Sequence, residues 1–254
     1  MTKTIKTVSE WREIYQSEKL SGKKVGFVPT MGALHKGHAS LVERSVKEND
    51  ITVISIFVNP TQFNDPKDLQ NYPRTLEDDL RMLQELKADY LFYPDYKEIY
   101  SDNYRYTVSE NDLTKILCGA FRPGHFDGVL TVIMKLLNII RPNRAYFGEK
   151  DFQQFKLIEG MAQAFFLDME IIPCPTLRED DGLAMSSRNT LLSPEERKLA
   201  LNFPRLLKSN KTNDEIKIEL ESIGFKVDYI EDYAGRKLGA VHVRKVRLID
   251  NVKL

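Results

Sequence analysis

Residues 51–58 read ITVISIFV. The run is continuous, β-branched and without alternation, as a strand covered on both faces must be. Two-sided cover implies a parallel sheet with helices packed on each side. Working outward, KVGFVP (Lys24–Pro29) has the same texture, and a helix is predicted between the two, from about Gly37 to Asn49. Downstream, Thr75 opens a helix with Asp78 at its third position, a capping-box pattern, and Leu76, Leu80, Leu83 and Leu86 form its buried stripe. A short strand follows at Tyr90–Phe92. Val129, Val132, Ile133, Leu136, Leu137 and Ile140 fall on one helical face, which Pro142 ends. Ala145–Phe147 reads as a strand, residues 151–166 as a helix and Met169–Ile172 as a strand. This alternation predicts a doubly wound, Rossmann-like α/β domain over residues 1–175.

Beyond residue 175 the texture changes. SPEE (Ser193–Glu196) and TNDE (Thr212–Glu215) are helix starts with capping boxes, and Gly224 ends the second helix. FKVDYIEDY and LGAVHVRKVRLI alternate apolar and polar residues, which predicts a small antiparallel sheet with one wet face. A second, smaller α+β domain is expected over residues 176–254.

The 254 residues carry 37 Lys+Arg and 37 Asp+Glu, a net charge of zero. Non-specific nucleic-acid binding needs a basic excess, so a nucleic-acid partner is not expected. The apolar content excludes intrinsic disorder. No apolar run reaches the length of a membrane span or a signal peptide, so a cytoplasmic protein without a membrane partner is expected. Cys118 and Cys174 form no CxxC pair and are predicted to be buried thiols.

In doubly wound sheets, chemistry sits just beyond strand ends. Between the first strand and its helix lies TMGALHKGH (Thr30–His38). Gly37 allows close backbone approach, the helix start offers N–H groups to an anion, and His35 and His38 can donate to phosphate oxygens. In DGLAMSSRN (Asp181–Asn189), Ser186, Ser187 and the forked guanidinium of Arg188 suit a phosphate clamp; a plain Ser/Asn turn is the alternative. In FGEKDFQQ (Phe147–Gln154), Lys150 can neutralise phosphate and Asp151 can take a ribose hydroxyl. The alternative is that Glu149 and Asp151 only complement the helix dipole. Asn59 and Gln62, at the exit of the Ile51–Val58 strand, suit a small polar acid, or else simply form a turn around Pro60. That exit, residues 59–74, reads as one long loop. Asp78 and Asp79 can hold Mg²⁺ through phosphate and water, or else Asp78 only caps its helix. His125, in RPGHFDG (Arg122–Gly128), is exposed or ligand-facing, and His242 is a surface residue. Nothing places a base beside a covalent nucleophile.

These segments, in this order, resemble the pantoate–β-alanine ligase family. The resemblance runs from about residue 24 to 192 through VPTMGALHKGH, SIFVNPTQF, NYPRTLEDDL, FRPGHFDGV, YFGEKDFQQ and DGLAMSSRN, and RLIDN near the C-terminus also matches. His35–His38 would be the HIGH-like motif and Met185–Arg188 the KMSKS-like one. The resemblance implies that pantoate attacks the α-phosphate of Mg-ATP, and that β-alanine then attacks the pantoyl adenylate to give pantothenate and AMP. Met31, Gly32, Ala33, Leu34, His35, Lys36, Gly37 and His38 would line the ATP site, with His38 the residue called proton donor in the family. Gly148, Glu149, Lys150 and Asp151 would hold nucleotide, Leu177 would bind adenine through its backbone, and Met185, Ser186, Ser187 and Arg188 would clamp the phosphates. His35, His38, Lys150, Ser186, Ser187 and Arg188 would carry the catalysis. Gln62 and Gln154 would hold pantoate, Gln62 also meeting β-alanine, in a pocket shaped by Asn59, and Asp78 would lie near the Mg²⁺. The family is typically homodimeric and uses its small domain as a lid. The segment around Ala234–Ala240 is shorter than the family pattern.

Two other readings compete. A tRNA-charging enzyme of the same fold would need a basic excess, which the zero net charge does not provide, and a tRNA-binding part, which is not expected after residue 192; a simple nucleotidyltransferase would not need both Gln62 and Gln154. A nucleotide-binding protein without catalysis would not need His35, His38, Lys150 and Arg188 together.

Overall fold

The computed structural model describes residues 1–17 and 22–254, which divide into two compact units. The first comprises Met1–Gly148 and Gln153–Cys174, and the second Glu149–Phe152 and Pro175–Leu254.

The first unit is built on a six-stranded sheet: β1 (Lys3–Ile5), β2 (Val25–Thr30), β3 (Ile51–Ile56), β4 (Tyr90–Phe92), β5 (Arg144–Gly148) and β6 (Glu170–Cys174). The order is β1-β4-β3-β2-β5-β6 and every pairing is parallel. All six residues of β3 are buried, as its unbroken apolar run predicts. The helix Lys36–Glu48 returns from β2 to β3, and the helices Leu76–Glu85, His125–Ile140 and Phe152–Ala164 lead into or out of later strands. Leu76, Leu80 and Leu86 pack around the fully buried Leu83 against Val28, Ile54 and Leu91. The sheet reverses its winding between β2 and β5, and ligands of open α/β sheets lie beyond the strand ends at such a point.

Three sequence expectations need correction in this unit. Thr75 makes no side-chain cap bond, so the Thr75–Asp78 capping box does not form; Thr75 instead donates its hydroxyl to Asp79, at 3.2 Å. Segment 59–74 is not one loop, because Pro60 starts a 3-10 turn (Pro60–Gln62) and Pro66 starts a short helix (Pro66–Gln70) capped by Asp65. His125 is buried, held by hydrogen bonds at both ring nitrogens. No element is predicted before Lys24, yet β1 extends the sheet, and Val8, Trp11, Ile14 and Tyr15 stand at helical spacing in the helix Val8–Ser17, which buries Trp11 edge-on against Tyr90. Cys118 and Cys174 are buried thiols, as predicted.

In the second unit, helices Pro194–Ala200 and Asn213–Ser222 begin with the capping boxes predicted at Ser193–Glu196 and Thr212–Glu215. The strands β7 (Phe225–Tyr233), β8 (Arg236–Val243) and β9 (Val246–Lys253) form an antiparallel meander. β7 and β8 join through a two-residue turn. Ala234 (φ 48°) and Gly235 (φ 74°) both adopt the left-handed conformation such hairpins require. The expected wet face is absent from β8, seven of whose eight residues are buried. On one face Gly239 lies so close to Phe203 that an added Cβ would fall 2.8 Å from its ring. Arg236, on the opposite face, and Lys237, on the same face as Gly239, are buried by partners that spacing alone cannot reveal: Glu149 and Asn251 for Arg236, and the Lys211 carbonyl for Lys237.

Candidate active site

At the C-terminal end of β2 the chain turns sharply. Gly32 (φ 81°) and Ala33 (φ 51°) are both left-handed, and a Cβ on Gly32 would lie 3.0 Å from Ile56 and 3.1 Å from Asp79. Glycine is needed there for conformation and for space. Thr30 fixes the turn by donating to the Ser55 carbonyl at 2.7 Å and accepting the Gly32 N–H at 3.2 Å. Asp79, 2% exposed, completes it by accepting the N–H groups of Ala33 (3.0 Å) and Leu34 (2.8 Å). Asp78 occupies the opposite environment, exposed and ion-paired with Arg81.

The turn delivers His35 as the cap of the helix Lys36–Glu48. His35 Nδ1 accepts the Gly37 N–H at 3.1 Å, and His38 Nδ1 accepts the His35 N–H at 3.4 Å, a reciprocal capping box. The two rings lie 4.1 Å apart. A neutral imidazole that accepts at Nδ1 carries its proton on Nε2. The backbone therefore sets both histidines as Nε2–H donors, side by side at a helix N-terminus that itself favours anions.

After β3, Asn59 is 1% exposed. Its Oδ1 accepts from Tyr100 (2.8 Å) and Thr61 (3.0 Å), and its Nδ2 donates to Gln62 Oε1 (3.0 Å) and the Gly128 carbonyl (3.1 Å). Burial pushes the Tyr100 phenol up, so it stays neutral and donates. With every strong valence used inside the protein, Asn59 acts on its surroundings through Gln62. It fixes which way the Gln62 amide points, oxygen towards Asn59 and nitrogen towards Met31 Sδ (3.2 Å). A thioether is a weak acceptor, so this N–H gains by meeting a carboxylate or hydroxyl. Gln154 lies half-buried on the first turn of the helix Phe152–Ala164, and Gly148 ends β5. The neighbouring Gln153 is buried and structural, joined to the backbone of Leu113, Ile116 and Cys118.

In the second unit, Lys150, Ser186 and Arg188 line one recess with Asn189 and β9. Ser186 caps the turn Ser187–Leu191 by accepting the Arg188 N–H at 3.2 Å. Buried Asn189 ties that turn to Glu179 (2.5 Å) and to the Ala184 carbonyl (3.0 Å). Asn251, 3% exposed, holds the Lys150 segment by donating to the carbonyls of Glu149 (2.8 Å) and Lys150 (3.0 Å). The Glu149 carboxylate pairs with Arg236, whose guanidinium also covers the Phe152 ring at 4.6 Å, so this side chain serves the scaffold. Lys150 is 3.8 Å from Asp151. Leu177 is exposed and lies outside the recess, its carbonyl accepting the Met185 N–H at 3.0 Å. His242, expected at the surface, is half-buried beside Asp228 (3.2 Å).

The Mg²⁺ reading of Asp79 gives way, because its buried carboxylate is taken up by the Ala33 and Leu34 N–H groups; Asn189 and Asn251 were missed by sequence reasoning. Their only signal is a polar residue at a buried periodic position, which gains meaning once its distant partner is known.

Among the described residues no three His, Cys, Asp or Glu side chains cluster to hold a metal. Mg²⁺ is commonly bound by one or two carboxylates together with phosphate oxygens and water. The exposed Asp78 carboxylate suits that arrangement, since its surface pair with Arg81 is weak.

Comparison with known proteins places this geometry in context. A family model described as pantoate-beta-alanine ligase matches residues 3–253. The pantothenate synthetase of Bdellovibrio bacteriovorus is 54% identical over 257 residues, covering 100% of both chains. That of Coxiella burnetii is 51% identical over 99% of this chain and 97% of its own. Among solved structures, the pantoate-beta-alanine ligase of Francisella tularensis, complexed with beta-gamma ATP and beta-alanine, superposes with a TM-score of 0.95 at 41% identity, covering 100% of this chain and 98% of that one. The pantothenate synthetase of Thermus thermophilus gives 0.89 at 40% identity, covering 99% of each.

Proposed function

The chain belongs to the pantoate-beta-alanine ligase family, and from that premise we propose that it joins pantoate to β-alanine through an acyl adenylate. In the first half-reaction a pantoate carboxylate oxygen attacks the α-phosphorus of ATP and pyrophosphate leaves. In the second, the β-alanine amine attacks the acyl carbon, the C–O bond to AMP breaks, and the amine gives up a proton as the amide forms. The observation that carries this reading is the capping box in which both His35 and His38 accept at Nδ1. It supplies two neutral Nε2–H donors, suited to the oxygens on which charge grows as the α-phosphate is attacked.

The remaining residues take roles that their chemistry supports. Gln62, with its N–H turned towards Met31, and Gln154 hold pantoate. Lys150, Ser186, Ser187 and Arg188 neutralise and orient phosphates in the same half-reaction. Asp151 takes a ribose hydroxyl, the Leu177 backbone takes adenine, and Gly148 with residues 31–37 lines the nucleotide site. Mg²⁺, when bound, supplies charge neutralisation on the phosphates, with Asp78 as the protein group to meet it. We take the enzyme to be a homodimer, as the family resemblance implies, and cytoplasmic, as the sequence leads one to expect. Among the described residues no helix is long and apolar enough to cross a membrane.

The test is ATP–pyrophosphate exchange against a panel of small carboxylic acids. Exchange that requires pantoate establishes the first half-reaction. Exchange indifferent to the acid, or none at all, refutes the adenylate route.

A further inference from the structure

We infer that His125 and Arg122 are positioning residues that aim the acid-binding amide of Gln62. The inference rests on the reading of Gln62 as a pantoate ligand. The Gln62 carbonyl accepts from His125 Nδ1 at 2.7 Å and from Arg122 Nη2 at 3.3 Å, and Arg122 Nη1 meets His125 Nε2 at 2.9 Å. A carbonyl can only accept, so Nδ1 must carry the proton. A guanidinium can only donate, so Nε2 must not. Both partners demand the same neutral tautomer, and His125 becomes a connector of fixed direction between Arg122 and the Gln62 peptide.

The start of the helix His125–Ile140 grips this turn at further points. A Cβ on Gly128 would fall 2.5 Å from the Thr61 carbonyl oxygen and 2.8 Å from the Gln62 nitrogen, so only glycine lets the helix approach so closely. The Gly128 carbonyl also accepts from Asn59, whose same nitrogen orients the Gln62 side chain. The backbone and side-chain ends of Gln62 are therefore both set by buried polar groups. An apolar residue at position 125 could fill the volume, but it would leave the Gln62 carbonyl with only its long bond to Arg122. The polar choice at this site specifies direction.

The test compares His125→Ala with His125→Asn, because an asparagine Nδ2 can stand where the imidazole Nδ1 stood. His125→Ala is expected to raise KM for pantoate about tenfold or more with KM for ATP within about threefold, and His125→Asn to recover most of that loss. In a Gln62→Ala background, His125→Ala is expected to add less than about twofold, because its effect passes through the missing amide. If His125→Ala fails to fold, Arg122→Gln replaces it in the same cycle. Equal losses towards ATP and pantoate, an asparagine variant as impaired as the alanine one, or costs that multiply fully in the double variant would each overturn the inference. Should Gln62→Ala alone leave pantoate binding intact, the assignment of Gln62 itself is what fails.

Discussion

The Asp79 carboxylate is fastened to Leu34: Oδ1 accepts the Leu34 N–H at 2.8 Å while Oδ2 takes that of Ala33 at 3.0 Å. One buried side chain therefore holds the left-handed turn that leads to His35. Its neighbour Asp78 is exposed and touches none of this. Asp79→Asn puts an amide donor against a backbone donor and is expected to cost about 2–3 kcal/mol of stability. Asp78→Asn is expected to stay within about 0.5 kcal/mol while raising the Mg²⁺ concentration needed for half-maximal exchange. Denaturant unfolding and a Mg²⁺ titration of both variants check this; equal destabilisation would break the distinction.

His38→Ala removes one Nε2–H donor and one arm of a capping box. The first loss is expected to raise the adenylation barrier by roughly 3 kcal/mol, about a hundredfold in pyrophosphate exchange. The second costs about 0.5–1 kcal/mol of stability. Exchange rate and melting temperature separate the two. A variant that turns over near the wild-type rate removes His38 from the mechanism.

How far the fold and site could be read in the sequence is illustrated by particular residues. Ile51–Ile56 was legible because a strand buried on both faces leaves an unbroken β-branched run. The Thr212–Glu215 start was legible because both members of its capping box lie within one turn. The Thr75–Asp78 pattern looked the same but failed, since Thr75 turns its hydroxyl to Asp79, whose main partners lie 45 and 46 positions away. His125 failed for a similar reason: the carbonyl it serves is 63 positions earlier. Local periodicity shows which residues face inward, but not which buried polar groups will meet.

Asn251→Ala deprives the carbonyls of Glu149 and Lys150 of a donor and Arg236 of an acceptor at 2.7 Å. Losses of this kind in a buried network cost about 1–3 kcal/mol each. The variant is expected to melt earlier and to show a raised KM for ATP, because the Lys150 backbone is released. Unchanged ATP kinetics in a destabilised variant would confine Asn251 to structure.

Acid should weaken the tether at Asp102. Its carboxylate accepts from Lys135 at 2.6 Å and from the Tyr106 N–H at 3.1 Å, and the Lys135 bond first, then the backbone bond, lowers it from the ordinary 3.8 to about 2. A group held ionised by folding adds stability above its unfolded value, and that contribution fades as pH falls through the folded one. The wild type should therefore melt above Asp102→Asn at neutral pH, and the two curves should converge as pH drops from about 4 towards about 2. A gap that persists at the acid end of that range contradicts the assignment.

The short stretch Glu149–Phe152 stands between β5 and the helix Phe152–Ala164 in the chain, yet it clusters with residues 175–254. The smaller unit is therefore not contiguous in sequence and cannot be excised by one cut. A fragment starting at Pro175 would keep Arg236 but lose Glu149, stranding a guanidinium that is almost fully buried. An unpaired buried charge of this kind costs about 3–5 kcal/mol, a large part of the stability of a module this small. Transplanting the unit into another protein, or permuting the chain at residue 175, would need to carry those four residues along.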